Sequence, residues 1–150
     1  MIFHSLNLEK MEKLARQIAL RLHSGVSLCL WGDLGAGKTS FARQILKTLD
    51  PSLDDIPSPT FTIVQHYSTM AGEIWHCDFY RLKQAEEIFE LGMDEAFHTG
   101  ICLIEWPEKV GPHLPENRID LHIKICPDAR REISLYLRGN ISDTFFDIEI

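Results

Sequence analysis

The chain has 150 residues, 45% of them hydrophobic and 25% charged, with a formal net charge of −7 and a sequence pI of about 5.4. That balance describes one soluble globular domain, residues 1–150, with a sizeable core. It excludes tight, unaided binding to a nucleic-acid backbone, which needs clustered Lys and Arg, and no apolar run approaches the ~18 residues of a membrane helix.

Residues 2–6 suit a short strand. From Leu8, apolar residues recur at Met11, Leu14, Ala15, Ile18, Ala19 and Leu22, the spacing of one helical face. Asn7 is placed to cap that helix and Gly25 to end it. The opening "MIFHSLNLEKMEKL" carries charges where a signal peptide would hold its apolar stretch, so a cytoplasmic protein is expected. "VSLCLW" (26–31) is an apolar run suited to a strand buried on both faces. A second helix is predicted from near Gly37, burying Phe41, Ala42, Ile45, Leu46 and Leu49 until Asp50-Pro51 stops it.

"PSLDDIPSPT" (51–60) has three prolines and no periodicity, the marks of a surface loop. "FTIVQHY" and "EIWHCDFY" are β-rich, and "STMAG" between them permits a hairpin. "AEEIFELGMDEAF" reads as helix with a break near Gly92, and "ICLIEW" (101–106) as a second buried strand stopped by Pro107. "RIDLHIKI" and "REISLYLR" alternate apolar and polar around "CPDAR", an antiparallel hairpin with one wet face. The tail, residues 141–150, receives no role. Of the four cysteines, Cys29, Cys77 and Cys102 lie in apolar strand-like runs, and none forms a C-x-x-C pair with Cys126 or another. Reduced core thiols are expected. His76 and Cys77 make a poor metal pair, since adjacent strand residues face opposite ways.

Gly32-Asp33-Leu34-Gly35-Ala36-Gly37-Lys38-Thr39 fits G-x-x-x-x-G-K-[ST] without a departure, between a strand and an amphipathic helix. The glycines let the backbone curl so that successive N–H groups point at an anion, and the helix start adds a partial charge of roughly +0.5. Asp33, Leu34, Gly35, Ala36, Gly37, Lys38, Thr39 and Ser40 therefore form the expected phosphate-binding set. Lys38 is placed to reach the outer phosphates and the Thr39 hydroxyl to ligate Mg²⁺. No Asn-Lys-x-Asp run selects guanine, which favours ATP. The fold class is then α/β: a P-loop NTPase-like layered domain with a mixed sheet, parallel in its centre, with an antiparallel hairpin at one side, flanked by helices.

A cation on Thr39 needs a carboxylate nearby, and ligands of open α/β sheets sit beyond the carboxyl ends of the strands. Two acids close β-rich runs there, Glu105 after "ICLI" and Asp78 after "EIWHC". One would hold the metal and the other orient the attacking water, in an order the spacing leaves open. Asp78 has turn formation as its competing role, and Glu105 an exposed strand end. "SPT", ending in Thr60, reads either as turn chemistry or as a switch-like segment sensing the terminal phosphate.

Together "GDLGAGKTSFAR", "SPTFTIVQHY", "HCDFYRL", "LGMDEAF" and "GICLIEWPEKV" resemble, in order and spacing, the bacterial TsaE (YjeE) family. The resemblance spans roughly residues 8–139. It implies a weak, Mg²⁺-dependent ATPase that works with a TsaB–TsaD heterodimer. That pair installs a threonylcarbamoyl group on an adenosine of tRNAs reading codons that start with A. Contact with tRNA is then indirect, through the complex. By motif, the resemblance assigns phosphate and metal to Lys38 and Thr39, the metal also to Glu105, and further functional positions to Asp78 and Trp106, with Thr60 in the switch-like segment. Two other classes stay open: a small-molecule kinase, for which no Arg-rich lid is evident, and a nucleotide-gated binding module with negligible hydrolysis.

Overall fold

The computed structural model describes residues 1–150. Its seven strands are β1 (Ile2–Leu6), β2 (Ser27–Trp31), β3 (Val64–Thr69), β4 (Gly72–Asp78), β5 (Ile101–Glu105), β6 (Arg118–Ile125) and β7 (Arg131–Arg138). They form one sheet in the order β1-β7-β6-β2-β5-β4-β3. Strands β6, β2, β5 and β4 run parallel. The mixed α/β sheet with a parallel centre is therefore present, and antiparallel strands flank it on both sides rather than one. The reason lies in the pairing. Each hairpin read from sequence contributes its inner strand to the parallel centre, β4 beside β5 and β6 beside β2, so β3 and β7 end up on opposite flanks.

Helices α1 (Leu8–Ala19) and α2 (Lys38–Leu49) pack side by side on one face of the sheet. Asn7 caps α1 by accepting from the Lys10 N–H at 2.9 Å, which satisfies one of the free first-turn donors. Its apolar stripe buries Leu14, Ala15, Ile18 and Ala19. The helix stops at Ala19 rather than near Gly25, because single turns through Leu22 carry the chain on to that left-handed glycine. On α2, Phe41, Ala42, Ile45 and Leu46 are buried against β2 and β5. The opposite face is covered by α3 (Glu87–Glu90) and α4 (Met93–Thr99), broken apart at Gly92 with φ +72°. Beneath them lie Cys29, Cys77 and Cys102, fully buried free thiols, while Cys126 is only partly buried.

Four local departures from the sequence reading have visible causes. Strand β3 starts at Val64, not Phe61, because Ile63 is left-handed (φ +68°) and closes a turn on the Pro59 carbonyl. Strand β5 ends at Glu105, because Trp106 is left-handed (φ +56°) and Pro107 opens a 3-10 turn. The tail is also part of the core. Phe145 and Ile148 are buried against the α1–α2 side, and Arg21 donates to the Thr144 carbonyl. On β6 the wet face holds exposed His122 and Lys124, as its alternation requires, but Asp120 is buried there. It accepts from Trp31 Nε1 and from Arg118 and Arg138.

Candidate nucleotide site

The loop between β2 and α2 curls because its glycines adopt φ values that other residues avoid: +81° at Gly35 and +110° at Gly37. At Gly32 space matters too, since a Cβ there would come within 2.7 Å of the Ile123 carbonyl oxygen. The Ala36 N–H closes on the Asp33 carbonyl at 3.0 Å. From the far flank of the sheet, Arg131 Nε donates to the Ala36 carbonyl at 2.8 Å. Arg131, the first residue of β7, is thus a brace for the loop. Asp33, Leu34 and Gly35 form its exposed lip.

Lys38 is nearly buried, donates to the Gly32 carbonyl, and lies 3.4 Å from the centre of the Trp106 ring. Burial pushes its ammonium below the usual lysine value, against the opposing pull of Glu108, Glu105, Asp78 and Asp33. The left-handed turn at Trp106 carries its ring over the cleft, where the Tyr80 ring lies tilted at 51° with its centre 4.9 Å away.

Beneath the loop, Thr39 Oγ1 donates to Glu105 Oε1 at 2.5 Å. The other oxygen, Oε2, meets His76 Nε2 at 2.7 Å. Asp78 stands opposite Glu105 in the parallel ladder. It accepts from the Tyr80 N–H at 3.0 Å and from Thr60 Oγ1 at 3.3 Å, and Thr60 in turn touches Ser58 at 2.7 Å. Both carboxylates are nearly buried, Asp78 at 5% and Glu105 at 2% exposure, so the exposed-strand-end reading of Glu105 is excluded. Lys38, Thr39, Thr60, Asp78, Glu105 and Trp106, separated by up to 68 residues, line one cavity of about 420 Å³ together with Arg81. Arg43 is not among them; it donates to the Ile56 carbonyl and braces the 51–63 loop.

The sequence reading missed His76, which shares a sheet face with Asp78 and Ile74. Period-two alternation was the available signal. On the other side of the loop lies a second cavity of about 520 Å³, walled by Asn7, Met11, Gln44 and Arg130, with Gly35, Gly37 and Ser40 common to both.

No cluster of three His, Cys, Asp or Glu side chains is present to cage a metal. The paired oxygens of Thr39 and Glu105 are instead the donor chemistry that would suit a hard divalent cation, with Asp78 beside them in the ladder.

The family model described as "Threonylcarbamoyl adenosine biosynthesis protein TsaE" matches residues 5–133. A "tRNA threonylcarbamoyladenosine biosynthesis protein TsaE" of Rickettsia bellii is 42% identical over 123 residues, covering 82% of this chain and 85% of the relative. The protein so named in Bacillus subtilis is 37% identical over 139 residues, covering 92% and 86%. The crystal structure of Bacillus subtilis YdiB superposes with a TM-score of 0.79 at 33% identity, over 98% of this chain and 91% of that one. With a family model spanning most of its length and relatives at this identity, the chain belongs to the TsaE family.

Proposed function

We propose that this protein is a Mg²⁺-dependent ATP-binding protein with weak ATPase activity, acting in tRNA threonylcarbamoyladenosine formation. The observation that carries the reading is the contact between Thr39 and Glu105 beneath a complete phosphate loop. In this reading the amides from Asp33 to Thr39 grip the outer phosphates, helped by the start of α2. Lys38 leaves the Trp106 ring to meet the terminal phosphate. Thr39 and Glu105 hold the cation, which when bound offsets the charge on the phosphates. Asp78, fixed by Tyr80 N–H and Thr60, orients a water against the terminal phosphate. The base and ribose occupy the cavity beside Asn7 and Gln44.

The partner in this proposal is a TsaB–TsaD heterodimer, and tRNA is reached only through it. A net charge of −7 fits docking on a protein better than gripping RNA. Slow intrinsic hydrolysis that the partner stimulates or restrains is part of this proposal. The test is reconstitution with ATP, the TsaB–TsaD pair, tRNA and the activated threonylcarbamoyl donor. Modified nucleoside beyond one turnover, dependent on this protein, supports the proposal, and equal turnover without it refutes the role. Phosphate released to water, with no phosphorylated acceptor, separates an ATPase from a kinase. ATP-dependent capture of the pair with no phosphate release would favour the gated module.

A further inference from the structure

His76 is completely buried, on the same face of β4 as Asp78 and Ile74. Its Nε2 lies 2.7 Å from Glu105 Oε2, and its Nδ1 has no hydrogen-bond partner. A bare Nε2 would set two lone pairs against each other at that distance, so the contact requires a proton on Nε2. Moving the proton to Nδ1 would break this bond and bury an N–H with nothing to receive it. The environment therefore fixes one tautomer. Glu105, itself at 2% exposure, has only two side-chain partners, Thr39 on one oxygen and His76 on the other.

We infer that His76 is a positioning residue, donating from Nε2 to Glu105 Oε2 and thereby holding Oε1 toward Thr39, where the cation of the nucleotide complex is held. The inference rests on the nucleotide reading above. A carboxylate at the end of a Glu side chain has several rotatable bonds. Once a cation stands before Oε1, the imidazole is the contact that still fixes the far oxygen. Nothing in this role needs His76 to touch nucleotide or metal.

The experiment titrates Mg²⁺ into the full-length protein with saturating ATP and follows heat of binding, with ATP in chelator as the metal-free control. His76→Leu is expected to raise the Mg²⁺ needed for half-saturation by ~10-fold or more, with metal-free ATP affinity changed far less. In His76→Gln the amide nitrogen reaches the same oxygen, and the wild-type requirement is largely restored. An unchanged requirement in His76→Leu, or equal impairment in both variants, overturns the inference. Should the leucine variant not fold, His76→Asn, too short to reach Oε2, takes its place. A wild-type protein that takes up no Mg-ATP refutes the nucleotide reading instead. The imidazole is then judged by long-range ¹H–¹⁵N spectra of the wild type: a protonated Nε2 on His76 that shifts in Glu105→Gln supports its hold on Glu105, and an unprotonated Nε2 refutes it.

Discussion

Thr39 and Glu105 are 66 residues apart in sequence, yet the hydroxyl of one donates to the carboxylate of the other at 2.5 Å. The contact exists because β2 and β5 are parallel neighbours, so the loop leaving one strand sits over the last residue of the other. Glu105→Ala leaves the nucleotide cup intact and removes the acid. Phosphate release is expected to fall by ~100-fold or more, the scale seen when one group stabilising transition-state charge is lost. Calorimetry in chelator should show ATP affinity within a few-fold of wild type.

Lys38→Ala acts on binding itself. A charge-assisted hydrogen bond is worth roughly 1.5–3 kcal/mol, so ATP affinity should weaken by about 10- to 100-fold. Undiminished affinity by calorimetry would remove Lys38 from the phosphate site.

Trp106 reports on the same event. Lys38 rests 3.4 Å from its ring centre, and on the proposed nucleotide reading a bound phosphate would draw the ammonium away. Tryptophan emission should change on adding Mg-ATP. The change should vanish in Trp106→Phe, which keeps Trp31 and Trp75 as silent controls.

These expectations were largely legible in the sequence, because a phosphate loop is a contiguous pattern and acids that close strands announce themselves locally. Both β6 and β7 begin and end where their alternation does. The unread parts depend on pairing. Nothing local says that β4 lies beside β5, so neither the His76–Glu105 contact nor the Asp78–Glu105 register was available. The same holds for Arg131, whose partner at Ala36 is 95 residues away. The left-handed backbone at Ile63 and Trp106 sits on β-branched and bulky residues that disfavour it, so the strand ends there were overrun.

The thiols give a chemical and a pH test. A thiol reagent should modify Cys126 at once and the other three only on unfolding. Burial pushes the Cys102 thiol up to about 12 from an ordinary value of 9.0. Between those values the folded chain holds a proton that the unfolded chain has lost. Stability is therefore flat below the lower value and falls as pH rises above it, by ~1.4 kcal/mol per pH unit for this thiol. Denaturant midpoints compared at mildly and strongly alkaline pH check the sign, and Cys102→Ala should lessen the slope.

Gly100→Ala probes the close approach of β4 to the start of β5. An added Cβ would stand 2.1 Å from the Trp75 ring and 2.7 Å from the Glu73 carbonyl oxygen. Overpacking of this kind costs typically 1–3 kcal/mol, and the melting temperature should drop accordingly.

Asp78 and Glu105 are fixed to adjacent central strands of a seven-stranded sheet, tied by backbone hydrogen bonds along their length. The acid end of the cleft is thus an anvil: it cannot travel as nucleotide arrives or departs without tearing the ladder. Thr60, by contrast, rides on a stretch between α2 and β3 with no regular structure, fastened to Asp78 by one long 3.3 Å hydrogen bond. On the nucleotide reading proposed above, movement between nucleotide states falls to that side, so a crosslink stiffening residues 51–63 should slow cycling while leaving the anvil untouched.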